Sequence, residues 1–244
     1  FKQMIMKEKI EESCYWAAEL FCSGYLEKIY EFFLILFCKN INTSNPELIY
    51  RLYKRYNTYL ELSKSNSYKE LINDQSIRNQ LCELSVLFCK SIKHKPYKLP
   101  SITNEDLTLK MVTTKSVCKD YSLIQNYIKN GDGDELKICM SELCHSIHTK
   151  QFRTCCYWVC WINYFEKLFL KKNKEYVCGY RDISNIEEKY KKDYSWFIWD
   201  IIIDNCDDKS SIYIQSLHRL YIYDKLLDCI YAINMLIVCI QSIC

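Results

Sequence analysis

Residues 11–48 read EESCYWAAELFCSGYLEKIYEFFLILFCKNINTSNPEL, and the fold class follows from how that stretch is punctuated. Around its start, Ile5, Ile10, Tyr15, Trp16 and Leu20 fall near a 3.6-residue period, so residues 3–22 read as one helix. Gly24 then suits a helix C-terminus, where a left-handed residue is favoured. From Leu26 to about Lys39 the apolar run YEFFLILFC leaves no clear polar face, the pattern of a helix buried on more than one side. Asn45-Pro46-Glu47 opens the next helix, with Asn as cap, Pro at the first position and an acid in the first turn.

The same texture runs through all 244 residues. Four glycines and three prolines are too few for hairpin-rich sandwiches, barrels or doubly wound sheets, which need a turn residue every ten or so positions. A hydrophobic content of 49% supports a sizeable core and excludes wholesale disorder. The expected fold is therefore all-α, a multi-helix bundle or an array of helical hairpins. Further helices are predicted to about 62, over 68–92, roughly 105–129, 134–148, 152–172, 193–205 and 210–243, making eight to eleven in all. The segment KHKPYKLPSITN, residues 93–104, holds two of the three prolines and reads as a linker. It divides an N-terminal helical part, 1–92, from a C-terminal part, 105–244.

Sixteen cysteines would suggest a disulfide scaffold in a secreted chain. Here FKQMIMKEKIEESCYW is too charged for a signal peptide, and many cysteines sit on apolar helix faces: Cys14 and Cys22, Cys82 and Cys89. They read as reduced, mostly buried thiols in a reducing intracellular compartment. Residues with A/T-rich codons, lysine over arginine among them, are favoured throughout, so part of the bias is genomic rather than chemical. The chain begins with Phe1 and stops inside an apolar run, the pattern of a piece of a longer chain.

Motifs with chemistry are few. Cys144-x3-His148-x7-Cys156-x3-Cys160 sets two soft ligands at i and i+4 on each of two helices, which suits tetrahedral zinc if those helices pack together. Buried thiols with a surface histidine are the structural alternative, and no other cofactor is expected. Phosphate-binding loops are excluded, because neither glycine-rich signature occurs. Asp132-Gly133-Asp134-Glu135 resembles half a calcium loop but reads as a solvated turn with a helix cap. Lysine-rich runs at 90–98, 167–174 and 189–192 read as solvated helix ends, with DNA contact as the alternative. The apolar stretch 229–240 is interrupted by Asn234 and too short to span a membrane, so it reads as a buried last helix. One tripeptide recurs: Cys14-Tyr15-Trp16 and Cys156-Tyr157-Trp158, each near the start of an apolar helix.

The block Ser13-Cys14-Tyr15-Trp16 through Glu19-Leu20, followed by Ser23-Gly24 and Asn45-Pro46, resembles an all-helical protein family of giant nucleo-cytoplasmic large DNA viruses. Cys156–Trp158 and Trp196-Phe197-Ile198-Trp199-Asp200 look like further blocks of that family. The N-terminal third is also similar to the C-terminal helical collar domain of clamp-loader-related AAA+ ATPases, through Tyr15-Trp16, Leu20, Gly24, Ile29, Ile41, Asn45-Pro46-Glu47-Leu48 and Lys90-Ser91. The ATP-binding residues of that group have no counterpart here, so the resemblance implies a docking or oligomerisation module without ATPase activity. Together these imply a non-enzymatic interaction or scaffold subunit of a viral DNA replication, repair or transcription assembly. It would sit in the host cytoplasm or viral factory, with protein partners or self-association and no membrane. Tyr15, Trp16, Asn45 and Pro46 are its expected interaction or core anchors. The alternatives are a virion or nucleic-acid-associated structural protein using the lysine-rich ends, and a Cys/His zinc enzyme.

Overall fold

Helix ends, more than helix interiors, organise this chain. The computed structural model describes residues 1–118, 121–173, 178–184, 186–223 and 229–244. Among them there are twelve α-helices and no strand, so the protein is all-α. It divides into two compact units, Phe1–Tyr97 and Lys98–Cys244.

The first unit contains α1 (Lys2–Met6), α2 (Ile10–Cys22), α3 (Leu26–Leu36), α4 (Glu47–Ser65), α5 (Tyr68–Leu71) and α6 (Gln75–Lys90). The single helix expected over 3–22 is broken at Glu8, whose φ of +60° is left-handed. Lys9 N–H donates to the Met4 carbonyl at 2.9 Å and Glu8 N–H to that of Ile5 at 3.1 Å, the paired closure of a Schellman turn. The same pair closes α2 at Gly24, with Tyr25 N–H on Leu20 at 2.9 Å and Gly24 N–H on Phe21 at 3.0 Å. Only the second of these turns has a glycine to announce it. Replacing Glu8 by glycine should raise stability by about 0.5–1 kcal/mol in urea titrations, because it relieves a left-handed L-residue. A loss of stability would contradict this account. The Lys93–Glu8 contact, 3.5 Å long with Glu8 itself in solvent, is too weak to reverse the sign.

Two more predicted helices need correction. The helix expected over 68–92 is two, because Asp74 caps α6 by accepting from Ser76 N–H at 2.7 Å. A Ser67/Glu70 capping box starts the short α5. Asn45 is no side-chain cap for α4. Its amide donates instead to Ser91 Oγ at 3.0 Å, while Pro46 has helical backbone (φ −64°). The 91–94 stretch is stitched to the turn before α4: His94 N–H donates to Asn40 at 2.6 Å, and Ser44 Oγ to Ile92 at 3.1 Å.

The core of this unit lies where α2 meets α6 and α4 meets α3 and α6. Small buried residues, Ser13 and Ala17 on α2 with Ser85 and Cys89 on α6, let the first pair approach closely. Cys89 Sγ even reaches Ser13 Oγ at 3.3 Å. Phe33 of α3, as expected of a helix buried on more than one side, packs on Phe88 of α6 with centroids 4.4 Å apart.

The second unit contains α7 (Leu109–Lys115), α8 (Asp134–His148), α9 (Phe152–Asn173), α10 (Ser195–Asp204), α11 (Asp208–Tyr223) and α12 (Cys229–Ile243). Where one helix was expected over 105–129 there are α7 and two 3-10 turns, Glu105–Leu107 and Tyr121–Ile124. Thr108 restarts the chain as the cap of α7. The helix expected over 210–243 is α11 and α12, with 224–228 outside the described residues. α8 and α9 form a hairpin, and α12 packs on α9, α10 and α11. Trp158, Trp161, Trp196, Trp199 and Phe197 are all buried in its core. Among the described residues no helix is long and apolar enough to cross a membrane.

Candidate functional site

On α2 the buried stripe Ser13, Ala17 and Phe21 faces the core, which turns positions 15, 16 and 19 outward. Tyr15 is 59% and Trp16 45% exposed, with rings edge-to-face at 5.5 Å. They are therefore surface aromatics, and the core-anchor role is corrected for both. Exposed Glu11, Glu12 and Glu19 share the helix. The two aromatics thus form an apolar island among acids, and Cys22 at the end of the helix is exposed as well.

The second tripeptide has the opposite fate. Trp158 on α9 is 1% exposed, and Tyr157 beside it donates to Asp106 at 3.2 Å. Lys115 ties that corner, reaching Asp106 at 2.7 Å and Tyr157 Oη at 2.9 Å, while Trp161 donates to the Asp106 carbonyl at 2.9 Å. The hydrogen bond from Lys115, with that from the Thr103 N–H, holds the Asp106 carboxyl well below the usual range. A lysine, an aspartate and a tyrosine locked in this way form an ion pair with a neutral phenol. None is poised near neutrality for proton transfer.

The proposed metal ligands are spread between surface and core. His148 is exposed at the end of α8, with Nδ1 2.8 Å from its own helix carbonyl at Cys144. A carbonyl only accepts, so Nδ1 carries the proton. Cys144, Cys156 and Cys160 are buried. Burial pushes the Cys144 thiol up to about 12 and that of Cys160 up to about 11, which keeps both protonated at neutral pH. Among the described residues no three His, Cys, Asp or Glu side chains gather as a group that could hold a metal ion.

The acidic turn is solvated at Asp134 and Glu135, and Gly133 is the cap of α8, but Asp132 departs from the expectation. Asp132 is buried and meets the equally buried Arg181 in a two-pronged pair, Nη1 to Oδ1 at 3.1 Å and Nη2 to Oδ2 at 2.9 Å. It also accepts from the N–H groups of Gly179 and Lys129, each at 2.7 Å. Burial raises the Asp132 pKa, but Arg181 and these N–H groups outweigh it, and the net shift is downward. Glu142 plays a similar part, accepting from Val117 and Cys118 N–H at 2.8 and 2.7 Å. Buried carboxylates thus pin the long loops of this unit, work that glycine turns do in other folds.

The lysine-rich runs are partly engaged within the protein. Lys93 donates to the carbonyls of Cys89 and Ser91, Lys191 pairs with Glu188 at 2.8 Å, and Lys189 with Glu187 at 2.7 Å. Lys174 lies outside the described residues.

Fold and surface together define an all-helical protein with a solvent-facing aromatic pair. No protein-family model, curated protein or solved structure matches this chain.

Proposed function

We propose that this chain is a non-enzymatic helical interaction and oligomerisation subunit, a scaffold in a viral DNA replication, repair or transcription assembly. The α2 face bearing Tyr15 and Trp16 is its docking surface. The exposure of that aromatic pair carries the reading. Tyr and Trp are the side chains that most often anchor protein interfaces, and a pair left in water is stabilised when a partner covers it. The resemblance of the same Ser13–Leu20 block to giant-virus helical proteins, and to the clamp-loader collar, supports an assembly role.

Trp16→Ala tests it. Stability should change by less than about 1 kcal/mol, as for other surface sites. Self-association in sedimentation, or the set of proteins co-purified from expressing cells, should be lost or reduced. A loss of about 3–5 kcal/mol would place the indole in a core and sink the reading. An unchanged assembly state together with an unchanged partner set would sink it too.

A further inference from the structure

In the second unit the sulfurs of Cys155 and Cys244 lie 3.8 Å apart. Cys155 is buried in the first turns of α9, and Cys244 directly follows α12, partly open to solvent. The two positions are 89 residues apart in sequence, so only the packing of α12 on α9 brings them together. Lys150, left-handed in the turn between α8 and α9, donates to the Ile243 carbonyl and sets its ammonium beside Cys244. The hydrogen bond from Cys155 and the nearby Lys150 charge hold the Cys244 thiol below its ordinary value, despite partial burial. One accessible sulfur is therefore set up to attack, and the other to follow.

We propose that Cys155 and Cys244 form a reversible disulfide by exchange with a low-molecular-weight disulfide such as oxidised glutathione, locking α12 onto α9. The Cys244 thiolate attacks one sulfur of the oxidant, whose S–S bond breaks, and one glutathione thiolate leaves. Cys155 gives its proton to that thiolate and attacks Cys244 Sγ, expelling the second glutathione. Two protein thiols are oxidised to one disulfide, and one oxidised glutathione is reduced to two thiols. The sulfurs need to close from 3.8 Å to about 2.05 Å.

The test is to equilibrate the full chain in glutathione buffers of increasing oxidised fraction, quench with acid, block free thiols and map peptides. Cleavage after Arg153 and Lys167, and after Lys225, should yield peptide 154–167 linked to 226–244, with fragmentation placing the bond at Cys155 and Cys244. The linked form should melt roughly 10 °C higher than the reduced form, because the bond closes a long loop. Cys155→Ala should remove the link and leave Cys244 as a glutathione adduct. The idea is overturned if the wild-type chain accumulates only adducts. It is equally overturned if the link is placed at other cysteines or survives in Cys155→Ala and Cys244→Ala. The wild-type map stands on its own should either variant fail to fold.

Discussion

Arg181→Met should cost the second unit about 3–5 kcal/mol, the largest loss expected from any single polar substitution described above. Arg181 is 3% exposed, and the side chain of Asp132 is wholly buried. Removing the guanidinium leaves a buried carboxylate that, among the described residues, the Gly179 and Lys129 N–H groups still hold. Arg181 also donates to the Tyr127 carbonyl, so the 178–181 segment would lose part of its tie to the 127–132 turn and keep the Gly179 N–H bond to Asp132. Urea titration of the wild type, Arg181→Met, Asp132→Asn and the double variant checks this. The double variant should lose less than the sum of the singles, since neither charge is then stranded. A single-variant loss under about 1 kcal/mol would refute the clamp. Gly179→Ala probes the same place by another route: a Cβ there would lie 2.4 Å from the Asn130 carbonyl oxygen, so the backbone must shift.

Acid should weaken the fold through His218. Its ring packs on Trp199 at 4.9 Å and near Trp196 at 6.4 Å. Burial, aided by the neighbouring Arg219 charge, lowers its pKa from 6.5 to about 4. The sign follows from proton counting. Above pH 6.5 the imidazole is neutral folded and unfolded alike, and its contribution is fully present. Below that the unfolded chain takes up a proton that the folded chain refuses until about pH 4, so stability falls across this window. Between pH 7.5 and pH 5 the loss should be about 2 kcal/mol. His218→Gln is the comparison, because other groups titrate equally in both proteins. The stability gap between wild type and variant should shift by that amount in favour of the variant as pH falls. A gap that stays constant would mean that the ring is not held neutral.

Legibility from sequence varies from one element to the next for physical reasons. The helix expected over 134–148 is α8 to the residue, because acids follow a glycine turn at one end and histidines close the other. The break at Glu8 was invisible, since a glutamate in the left-handed region leaves no compositional mark. Its equivalent at Gly24 was readable for the opposite reason. The caps that divide 68–92 were present as Ser67-x-x-Glu70 and Asp74, a signal overridden by the apolar period on either side. Asp132 looked like a surface turn because its partner, Arg181, is 49 residues away. The same distance effect hid the approach of Cys155 to Cys244.

Composition and periodicity were sufficient for the helical class. With so few glycines and prolines, and apolar residues recurring every three to four positions, helix is the one backbone that can be extended and buried here. Which face of each helix is buried was left to the tertiary structure. Cys-Tyr-Trp occurs twice, with edge-to-face Tyr–Trp rings both times, yet Trp158 is in the core and Trp16 in solvent. Local sequence sets the angles at which side chains leave a helix. The helices packed around it decide which of those angles point into protein and which into water, and that choice made Tyr15 and Trp16 a surface.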